Sequence, residues 1–365
     1  MKIALVHDHL MQEGGAERVL KAISDIYPDA PIYTLLYDAK KLNSVFSRER
    51  VRPSFLQHIP FARHSYQWLL PLMPLATEHH DLSDYDVIIS SSSAFSKGVL
   101  TKPDSMHICY CHTPTRYLWT DTHSYVQEMR HPKFVKALVP LMLSKMRLWD
   151  RLAADRVDYF IANSHNVAMR IKKYYARESD TMYPPVDVAS YEIGRGDGGY
   201  YLAGGRLVSY KRYDIVIDAF NRLGIPLRIF GTGPSIMQLR SASKKNIQFL
   251  GNISDSELRS HYQHCIAYIH PQEEDFGITP VEAMAAGRPV IAFAAGGALE
   301  TVIEGATGHF FTDQDYAALI DVILHFKPED YKSDAIHEHA MKFDTSVFKR
   351  SLTEYIENKY KDRNI

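Results

Sequence analysis

Two fixed cations, Arg206 and Lys211, follow a short apolar run and a pair of glycines in the segment LAGGRLVSYKRY. If the run is a strand of an open α/β sheet, both cations lie near its carboxyl end, where such sheets bind ligands. Arg206 can donate two parallel hydrogen bonds to a phosphate, and Lys211 adds a compact positive charge. The pair predicts a diphosphate site that needs no metal ion. The alternative is an ordinary solvated start of a helix.

Two carboxylates, Glu274 and Glu282, stand eight positions apart in the segment EDFGITPVE. We expect Gly277 to make a turn, Thr279 to cap the helix that follows and Pro280 to begin it. Carboxylates accept hydrogen bonds from hydroxyl groups, so the pattern indicates a grip on two sugars rather than an acid and base pair. The alternative is that both are surface residues of a helix.

Backbone N–H groups at glycine-rich turns are a second kind of candidate donor. Glycine lets a ligand approach the main chain closely, and the first N–H groups of a helix attract anions. The turns that fit this description contain Gly14 and Gly15, Gly231 and Gly233, and the run Phe276, Gly277 and Ile278. Each is equally compatible with a tight turn that packs without a ligand.

Polar residues also follow two apolar runs in the first half of the chain. His7 and Asp8 follow the first run, and His112, Thr113 and Arg116 follow the run HICYC. Residues at strand ends line the clefts of open α/β sheets, so we expect these side chains to face a ligand. Zinc binding by the neighbouring histidines and cysteines is an alternative. It is disfavoured because no C-x2-C pair is present, and we expect no metal site.

These residues require a scaffold of alternating strands and helices. Short β-branched and aromatic runs alternate with longer stretches of helical periodicity, which is typical of parallel sheets built from βαβ units. We predict two such series, over residues 1–190 and 200–343, joined by a glycine-rich linker at residues 191–199. A last helix is predicted over residues 344–365. The fold class is therefore α/β, with two Rossmann-like doubly wound domains.

Composition excludes several classes of protein. A chain of 365 residues with 45% hydrophobic and 23% charged residues is typical of a folded protein of two domains. The 42 basic and 43 acidic residues nearly cancel, so charge gives no reason to expect nucleic acid binding. The three cysteines cannot form a disulfide framework. We find no apolar stretch of ~18 residues and no leader pattern, and we expect a cytoplasmic protein.

The segment that begins at Arg52 and ends at His80 interleaves basic, aromatic and proline residues. This mixture suits contact with an anionic lipid surface, which would place the protein at the inner face of the cell membrane. The alternative is a loop and helix, interrupted by proline, that packs on the first domain.

Taken together, these motifs resemble the retaining glycosyltransferases of family 4, over nearly the whole chain. The most specific match is the Glu, seven residues, Glu motif from Glu274 to Glu282, in combination with the Gly-Gly-Arg segment and the early glycine pair. The segment CHTPTRYLW is similar to one in bacterial mannosyltransferases of the O-antigen and exopolysaccharide type. The resemblance implies the glycosyltransferase B architecture, in which two Rossmann-like domains face a central cleft and the last helix crosses back to the first domain.

The resemblance also implies a role for each candidate. Arg206 and Lys211 would stabilise the nucleoside diphosphate leaving group without a metal. Glu282 would bind the donor ribose and Glu274 a hydroxyl of the transferred sugar, which His112 would contact from the first domain. The remaining donor contacts would come from Gly14, Gly15, Gly231, Gly233, Phe276, Gly277 and Ile278. The candidates for the acceptor side are His7, Asp8, Thr113 and Arg116.

The implied activity is transfer of mannose from GDP-mannose to a lipid-linked oligosaccharide in surface polysaccharide synthesis, with retention and without a cofactor. The same fold with a UDP-sugar donor and a sugar phosphorylase stay open as alternatives. A non-enzymatic nucleotide-sugar-binding protein is disfavoured, because Arg206, Lys211 and both glutamates of the motif are present. An NAD-dependent dehydrogenase is disfavoured, because no G-x-G-x-x-G follows the first strand.

Overall fold

The computed structural model describes residues 1–60, 66–122 and 133–363. The chain forms two compact units. Unit 1 consists of Met1–Tyr183 together with Lys349–Ile365, and unit 2 of Pro184–Phe348. Each unit is built around one parallel sheet, so the prediction of two α/β domains is confirmed.

Unit 1 contains a sheet of seven strands in the order β3-β2-β1-β4-β5-β6-β7. The strands are β1 (Ile3–His7), β2 (Ile32–Thr34), β3 (Val51–Pro53), β4 (Val87–Ser92), β5 (Met106–Cys111), β6 (Tyr159–Ala162) and β7 (Ser179–Thr181). The helices are α1 (Gly15–Ile26), α2 (Ala39–Leu42), α3 (Met73–Glu78), α4 (Arg116–Trp119), α5 (Lys133–Ala154) and α6 (His165–Tyr175). Short 3-10 helices cover Phe55–His58, Tyr66–Leu72 and Ser96–Gly98.

Unit 2 contains a sheet of six strands in the order β10-β9-β8-β11-β12-β13. The strands are β8 (Tyr201–Gly204), β9 (Leu227–Phe230), β10 (Ile247–Gly251), β11 (Tyr268–His270), β12 (Val290–Phe293) and β13 (Gly308–Phe311). The helices are α7 (Tyr213–Leu223), α8 (Ile236–Ala242), α9 (Asp255–His264), α10 (Ile278–Ala285), α11 (Ala298–Thr301), α12 (Tyr316–His325) and α13 (Ser333–Ala340). Short 3-10 helices cover Val188–Ser190, Ser209–Lys211, Pro328–Asp330 and Met341–Phe343.

The last helix, α14 (Thr345–Arg363), begins in unit 2 and continues in unit 1. Its Tyr355 hydroxyl donates to Asp180 at 2.8 Å, and its Arg363 lies 2.9 Å from Asp158. These contacts hold α14 against the rest of unit 1. Among the residues that the structure describes, no helix is both long and apolar enough to cross a membrane.

Each sheet reverses its strand order once. The reversal falls between β1 and β4 in unit 1 and between β8 and β11 in unit 2. Every residue of β4 and β5 is buried, as expected for central strands of a parallel sheet that is covered on both faces. Open α/β sheets bind ligands beyond the carboxyl ends of their strands at such a reversal. The fold therefore defines one candidate site in each unit.

The structure differs from the sequence prediction at sheet edges. Strands β3, β7 and β13 were not predicted, and each is the last strand at one side of its sheet. The first two contain only three residues each, and β7 is entirely polar. Such short segments carry no hydrophobic alternation, which is why the sequence does not reveal β3 and β7.

The glycine-rich residues 191–199 are part of unit 2 and do not form a linker, because unit 2 already begins at Pro184. The backbone N–H groups of Gly194, Gly196 and Gly198 donate to carbonyls of unit 2 at 2.9, 3.0 and 2.8 Å. The glycines therefore serve close packing of main chain on main chain, and the predicted hinge at these positions is corrected.

The segment from Arg52 to His80 is largely packed on unit 1, as the alternative interpretation expected. Leu56, Leu70 and Met73 belong to a buried hydrophobic cluster to which α5 also contributes. Trp68 nevertheless has 63% of its surface exposed. Residues 61–65 of this segment lie outside the described residues.

A buried ion pair joins two parts of unit 1. Lys97 Nζ lies 2.5 Å from Asp150 Oδ1, and both side chains are 1% exposed. Asp150 also accepts hydrogen bonds from the Thr115 hydroxyl at 3.0 Å, the Trp119 indole at 2.7 Å and the Tyr175 hydroxyl at 2.9 Å. Burial alone would lower the pKa of Lys97, but the Asp150 carboxylate raises it above its ordinary value. This network fixes the chain that follows β5.

Replacing Asp150 should therefore destabilise unit 1 strongly. We expect Asp150→Asn to lower the free energy of unfolding by about 3–5 kcal/mol, because the Lys97 ammonium stays buried without its counter-charge. The three tryptophans, Trp68, Trp119 and Trp149, all belong to unit 1, so urea unfolding followed by tryptophan fluorescence reports on that unit.

The matched control is Asp155→Asn. Asp155 pairs with Arg151 at 2.5 Å, but its side chain is 51% exposed. Its loss should cost less than about 1 kcal/mol, since exposed ion pairs contribute little. Equal losses for Asp150→Asn and Asp155→Asn would contradict the anchoring role of Asp150.

Candidate functional site

The charged residues predicted in unit 2 lie beyond the carboxyl ends of β8 and β11, the two strands that flank the reversal. Arg206 follows β8, and the 3-10 turn after it carries Lys211; Glu274 follows β11. Lys211 Nζ lies 2.7 Å from Glu274 Oε1, with side chains 12% and 19% exposed. The structure therefore brings two residues together that are 63 positions apart in the sequence.

Arg206 differs from its neighbours because its guanidinium is exposed and makes no ion pair or hydrogen bond with the described residues. All five of its N–H donors are available. The Lys211 ammonium has three donors, and the ion pair with Glu274 uses one of them. The two side chains thus offer several donors to an anion beyond β8, while Glu274 retains acceptor capacity for a hydroxyl group.

Helix α10 begins at Ile278 and has Gly277 as its N-cap, with a left-handed backbone (φ 87°, ψ 86°). The prediction that Thr279 caps this helix and Pro280 begins it is wrong by two residues. Glycine permits the left-handed turn, and a proline in the first turn needs no N–H group there. The first backbone N–H groups of α10 lack partners within the helix and are candidate anion donors. Phe276 is buried, and ligand contact by its backbone remains a prediction.

Glu282 is buried within α10, only 4% exposed. The Tyr262 hydroxyl donates to its Oε2 at 3.1 Å. Burial and the Glu282 carboxylate together raise the pKa of Tyr262 well above its ordinary value, so the hydroxyl keeps its proton and remains a donor. The interpretation of Glu282 as a surface residue of a helix is therefore wrong.

The two glycines of the Gly231-Thr-Gly233 turn bring two loops into direct contact. A Cβ on Gly231 would lie 1.9 Å from the Gly205 carbonyl oxygen, and one on Gly233 would lie 2.2 Å from the Leu207 carbonyl oxygen. The Leu207 N–H donates across the contact to the turn at 2.9 Å. These glycines therefore shape the loop that carries Arg206. Contact with a ligand remains a prediction for both.

His270, at the end of β11, is a candidate that the sequence pattern does not reveal. It is fully buried, and neither ring nitrogen has a hydrogen-bond partner in the described part of the chain. Burial lowers its pKa to about 4, which keeps the ring neutral. Its Nε2 lies 3.4 Å from the position that a Cβ on Gly277 would take. Its place at the end of a strand is the one signal that the sequence offered.

In unit 1 a chain of hydrogen bonds runs along the carboxyl ends of β1, β4 and β5. His112 Nε2 lies 2.8 Å from Ser91 Oγ, which lies 3.1 Å from His7 Nδ1. His7 Nε2 is 3.7 Å from Glu17 Oε1 on α1. Both ring nitrogens of His7 therefore have neighbours inside the unit, and contact of His7 with an acceptor remains a prediction.

Asp8 anchors the turn after β4. Its two carboxylate oxygens accept four backbone N–H groups from residues 93–96, at distances from 2.6 to 2.9 Å. Burial would raise the pKa of Asp8, but the charge of His7 and these N–H donors lower it below its ordinary value. A carboxylate that accepts four N–H groups has little capacity left for a ligand, and contact of Asp8 with an acceptor remains a prediction.

Two further predicted residues, Thr113 and Arg116, follow β5. The Thr113 hydroxyl makes a local bond of 3.3 Å to the Pro114 carbonyl, and Arg116 is the first residue of α4. Both remain candidates for the acceptor side.

Gly14 is the N-cap of α1 and Gly15 its first residue. A Cβ on Gly14 would lie 2.9 Å from Glu17 Oε2. The absent side chain at Gly14 therefore leaves room for the Glu17 carboxylate. Phosphate binding by these two glycines remains a prediction.

The histidines and cysteines considered for zinc binding are not arranged as metal ligands in the described part of unit 1. His107 Nε2 lies 2.8 Å from Ser90 Oγ, and Cys109 and Cys111 are buried free thiols. Within the ranges that the structure covers, His, Cys, Asp and Glu side chains form no group of three placed to hold a metal ion. Metal independence of the activity stays a prediction.

Comparison with known sequence families assigns both halves of the chain. The profile described as "Glycosyltransferase Family 4" matches residues 14–190, and the profile described as "Glycosyl transferases group 1" matches residues 194–343. The two matches leave only short segments uncovered and meet close to the unit boundary at Pro184.

Three curated relatives illustrate the range of similar proteins. An uncharacterised glycosyltransferase of Methanocaldococcus jannaschii is 35% identical over 169 residues, 45% of this chain and 48% of that protein. O-antigen chain mannosyltransferase C of Escherichia coli is 28% identical over 194 residues, 48% of this chain and 49% of that protein. Alpha-1,3/1,6-mannosyltransferase ALG2 of Dictyostelium discoideum is 23% identical over 294 residues, 66% of this chain and 67% of that protein. This chain thus spans about half the length of two of them.

Solved structures match over nearly the full length. The HepE protein of Anabaena in complex with UDP gives a TM-score of 0.72 at 18% identity, covering 98% of this chain and 100% of that one. Sucrose-phosphate synthase of Thermosynechococcus elongatus gives 0.73 at 16% identity, covering 99% and 100%. At this level of identity the likeness establishes the fold, which is that of glycosyltransferase B enzymes.

The contact between the loops after β8 and β9 can be tested at Gly231. We expect Gly231→Ala to destabilise unit 2 by more than Gly224→Ala, which should cost about 1–2 kcal/mol for its left-handed backbone alone. Both glycines have positive φ, 97° and 71°, but a Cβ on Gly224 would meet no atom within 4 Å. Thermal unfolding followed by far-ultraviolet circular dichroism measures the difference. Equal losses would show that the loops do not need this contact.

Proposed function

Because the chain belongs to glycosyltransferase family 4, we propose that it transfers mannose from GDP-mannose to a lipid-linked oligosaccharide in surface polysaccharide synthesis. The observation that carries the proposal is the unit 2 site, where an unpaired Arg206 stands beside the Lys211 and Glu274 pair. Relatives named as mannosyltransferases, including the O-antigen enzyme and a phosphatidyl-myo-inositol mannosyltransferase, support the choice of sugar.

In this proposal the two cations act on the diphosphate. Arg206 forms paired hydrogen bonds to phosphate oxygens, and Lys211 neutralises the charge that develops as the bond to the sugar breaks. Fixed donors that already point at the leaving group need no reorganisation during the reaction, which makes a divalent metal unnecessary.

The carboxylates hold the rest of the donor. Glu282, whose Oε2 is engaged by Tyr262, accepts a hydrogen bond from the ribose with its remaining capacity. Glu274, held by Lys211, accepts from a hydroxyl of the transferred sugar. The departing phosphate takes the proton of the acceptor hydroxyl, so the new bond forms on the face from which the phosphate leaves and the anomeric configuration is retained. Thr113 and Arg116 are the acceptor-side candidates.

A UDP-sugar donor is the second candidate, because HepE was crystallised with UDP and with UDP-glucose. A sugar phosphorylase would use the same site with inorganic phosphate as acceptor. Both alternatives share the diphosphate contacts, so they differ from the first proposal in the base or in the acceptor.

The donor can be tested by binding before any acceptor is known. We expect GDP at about 1 mM to raise the midpoint of thermal unfolding, and UDP, ADP and NAD to leave it unchanged, because only a ligand of the native state stabilises it. Arg206→Ala should abolish the GDP shift and lower mannose transfer from GDP-mannose about a hundredfold, the cost of a lost transition-state contact. Nuclear magnetic resonance of the product gives its anomeric configuration.

The matched control is Arg240→Ala, which removes the same charge from the exposed side of α8 in the same unit. It should keep the GDP shift and the transfer rate. A shift with UDP alone would replace GDP-mannose by a UDP-sugar, and a shift with NAD alone would overturn the glycosyltransferase proposal. Transfer of mannose to inorganic phosphate would select the phosphorylase.

The proposed lipid-linked acceptor requires contact with a membrane surface, and the outer face of α5 suits an anionic one. Leu141, Leu148 and Leu152 lie on one face of this helix and are 63%, 63% and 52% exposed. Lys145 lies among them and is also exposed. Apolar side chains with an interspersed base fit the headgroup region of anionic lipids. We therefore place the contact on α5 and propose a position at the cytoplasmic face of the membrane.

Vesicle binding tests this surface. We expect the protein to sediment with vesicles that contain phosphatidylglycerol and not with pure phosphatidylcholine vesicles. The double variant Leu141→Ser/Leu148→Ser should bind the anionic vesicles about tenfold more weakly, because two buried leucine side chains contribute at least 1.4 kcal/mol together. The control is Leu299→Ser/Leu324→Ser, which changes leucines of unit 2 that are 56% and 67% exposed. Equal effects of the two double variants would contradict a contact through α5.

A further inference from the structure

Unit 1 contains a chain of four polar side chains that links α1 to His112. It runs from Glu17 through His7 and Ser91 to His112, with separations of 3.7, 3.1 and 2.8 Å. The four residues come from three separate stretches of sequence, and all are buried or nearly so. The first separation is that of an ion pair and the other two are those of hydrogen bonds, so the charge at Glu17 can bias where the protons lie along the chain.

The carboxylate at one end decides how the protons are arranged. Burial would raise the pKa of Glu17, but its contact with His7 lowers it below its ordinary value, so Glu17 is ionised at neutral pH. An ionised carboxylate only accepts, and it therefore favours a proton on His7 Nε2. In the neutral form of His7, which carries a single ring proton, Nδ1 then accepts from the Ser91 hydroxyl. Ser91 Oγ then accepts from His112, whose proton must be on Nε2.

The other ring nitrogen of His112 is consequently unprotonated. Burial lowers the pKa of His112 to about 4, so the ring is neutral at pH 7. The titratable and charged groups that act on it are His7, Asp8 and Glu17, and the Tyr110 ring contacts its edge at 5.3 Å between centroids. In the described part of the chain, Nδ1 has no hydrogen-bond partner and is not among the fully buried polar atoms.

We propose that Glu17, through His7 and Ser91, is a positioning residue that fixes His112 as the Nε2–H tautomer. His112 then presents Nδ1 as an acceptor for a hydroxyl group of its ligand. Gly14 is part of the device, because any side chain there would meet the Glu17 carboxylate. The tautomer is a property of the free protein, and only the identification of the hydroxyl as one belonging to the sugar substrate rests on the proposed function.

The tautomer can be observed directly in the protein without substrate. Long-range proton–nitrogen correlation spectra separate protonated from unprotonated ring nitrogens, and His112→Asn identifies the His112 signals by their loss. We expect the Nε2–H form of His112 in the wild type. Glu17→Gln removes the charge that holds the proton on His7, and Ser91→Ala interrupts the chain. In both variants the Nδ1–H form of His112 should become populated.

The matched control is Glu13→Gln, which removes an exposed carboxylate from the loop that precedes α1. It should leave the His112 tautomer unchanged. An Nδ1–H tautomer in the wild type, or an unchanged tautomer in both Glu17→Gln and Ser91→Ala, would overturn the proposal. Because Glu17 and Ser91 lie on different elements, the second variant decides the question if the first fails to fold.

Kinetics separates this proposal from the proposed function. If mannose transfer is found, Glu17→Gln should slow it about tenfold, the cost of one hydrogen bond of about 1.4 kcal/mol. Adding Glu17→Gln to His112→Ala should cost nothing more, because Glu17 acts only through His112. An additive loss would refute the coupling. A shifted tautomer in a protein that transfers no sugar would keep the proton chain and reject the glycosyltransferase proposal.

Discussion

The reversal of strand order in each sheet is the constraint on which the chemistry of this protein depends. At the reversal, the connections of two adjacent strands leave in opposite directions, so the carboxyl ends of those strands are not covered by a crossing loop. The strands are β1 and β4 in unit 1 and β8 and β11 in unit 2. The fold brings the polar residues at the carboxyl ends of these strands to one place even though they are far apart in the sequence.

Gathering polar groups at one edge does not by itself decide which of them meet a ligand. The number of partners that each group already has within its unit decides it. The Asp8 carboxylate accepts from four backbone N–H groups, and the Asp150 carboxylate accepts from an ammonium, two hydroxyls and an indole N–H. Both carboxylates therefore hold loops in place. Arg206 has no partner among the described residues, and Lys211 shares one carboxylate. Saturated groups are anchors, and unsaturated groups on the same edge are the ones left for chemistry.

Sequence reasoning succeeded where hydrophobic pattern and fold agree. The central strands β4 and β5 are buried at every residue, and the apolar residues within them were enough to place the polar residues that follow at the sheet edge. It failed where the determining contact is distant in sequence. The glycines at residues 191–199 have the composition of a hinge, and only their hydrogen bonds to unit 2 reveal close packing. In the sequence, Glu17 resembles an ordinary helix residue and Ser91 is one of several consecutive serines, so neither indicates a contact with His7.

The adjacent residues His7 and Asp8 illustrate why spacing alone cannot assign roles. His7 ends β1 and Asp8 follows it, and the sequence treats them alike as candidates for ligand contact. Successive side chains at the end of a strand point to opposite sides, so the two meet different neighbours. Asp8 meets the backbone of residues 93–96 and becomes an anchor, whereas His7 meets Ser91 and Glu17 and joins the path to His112. A polar residue at a sheet edge acquires its function from the partners that the fold supplies, and these come from strands and helices that its own neighbourhood in the sequence does not include.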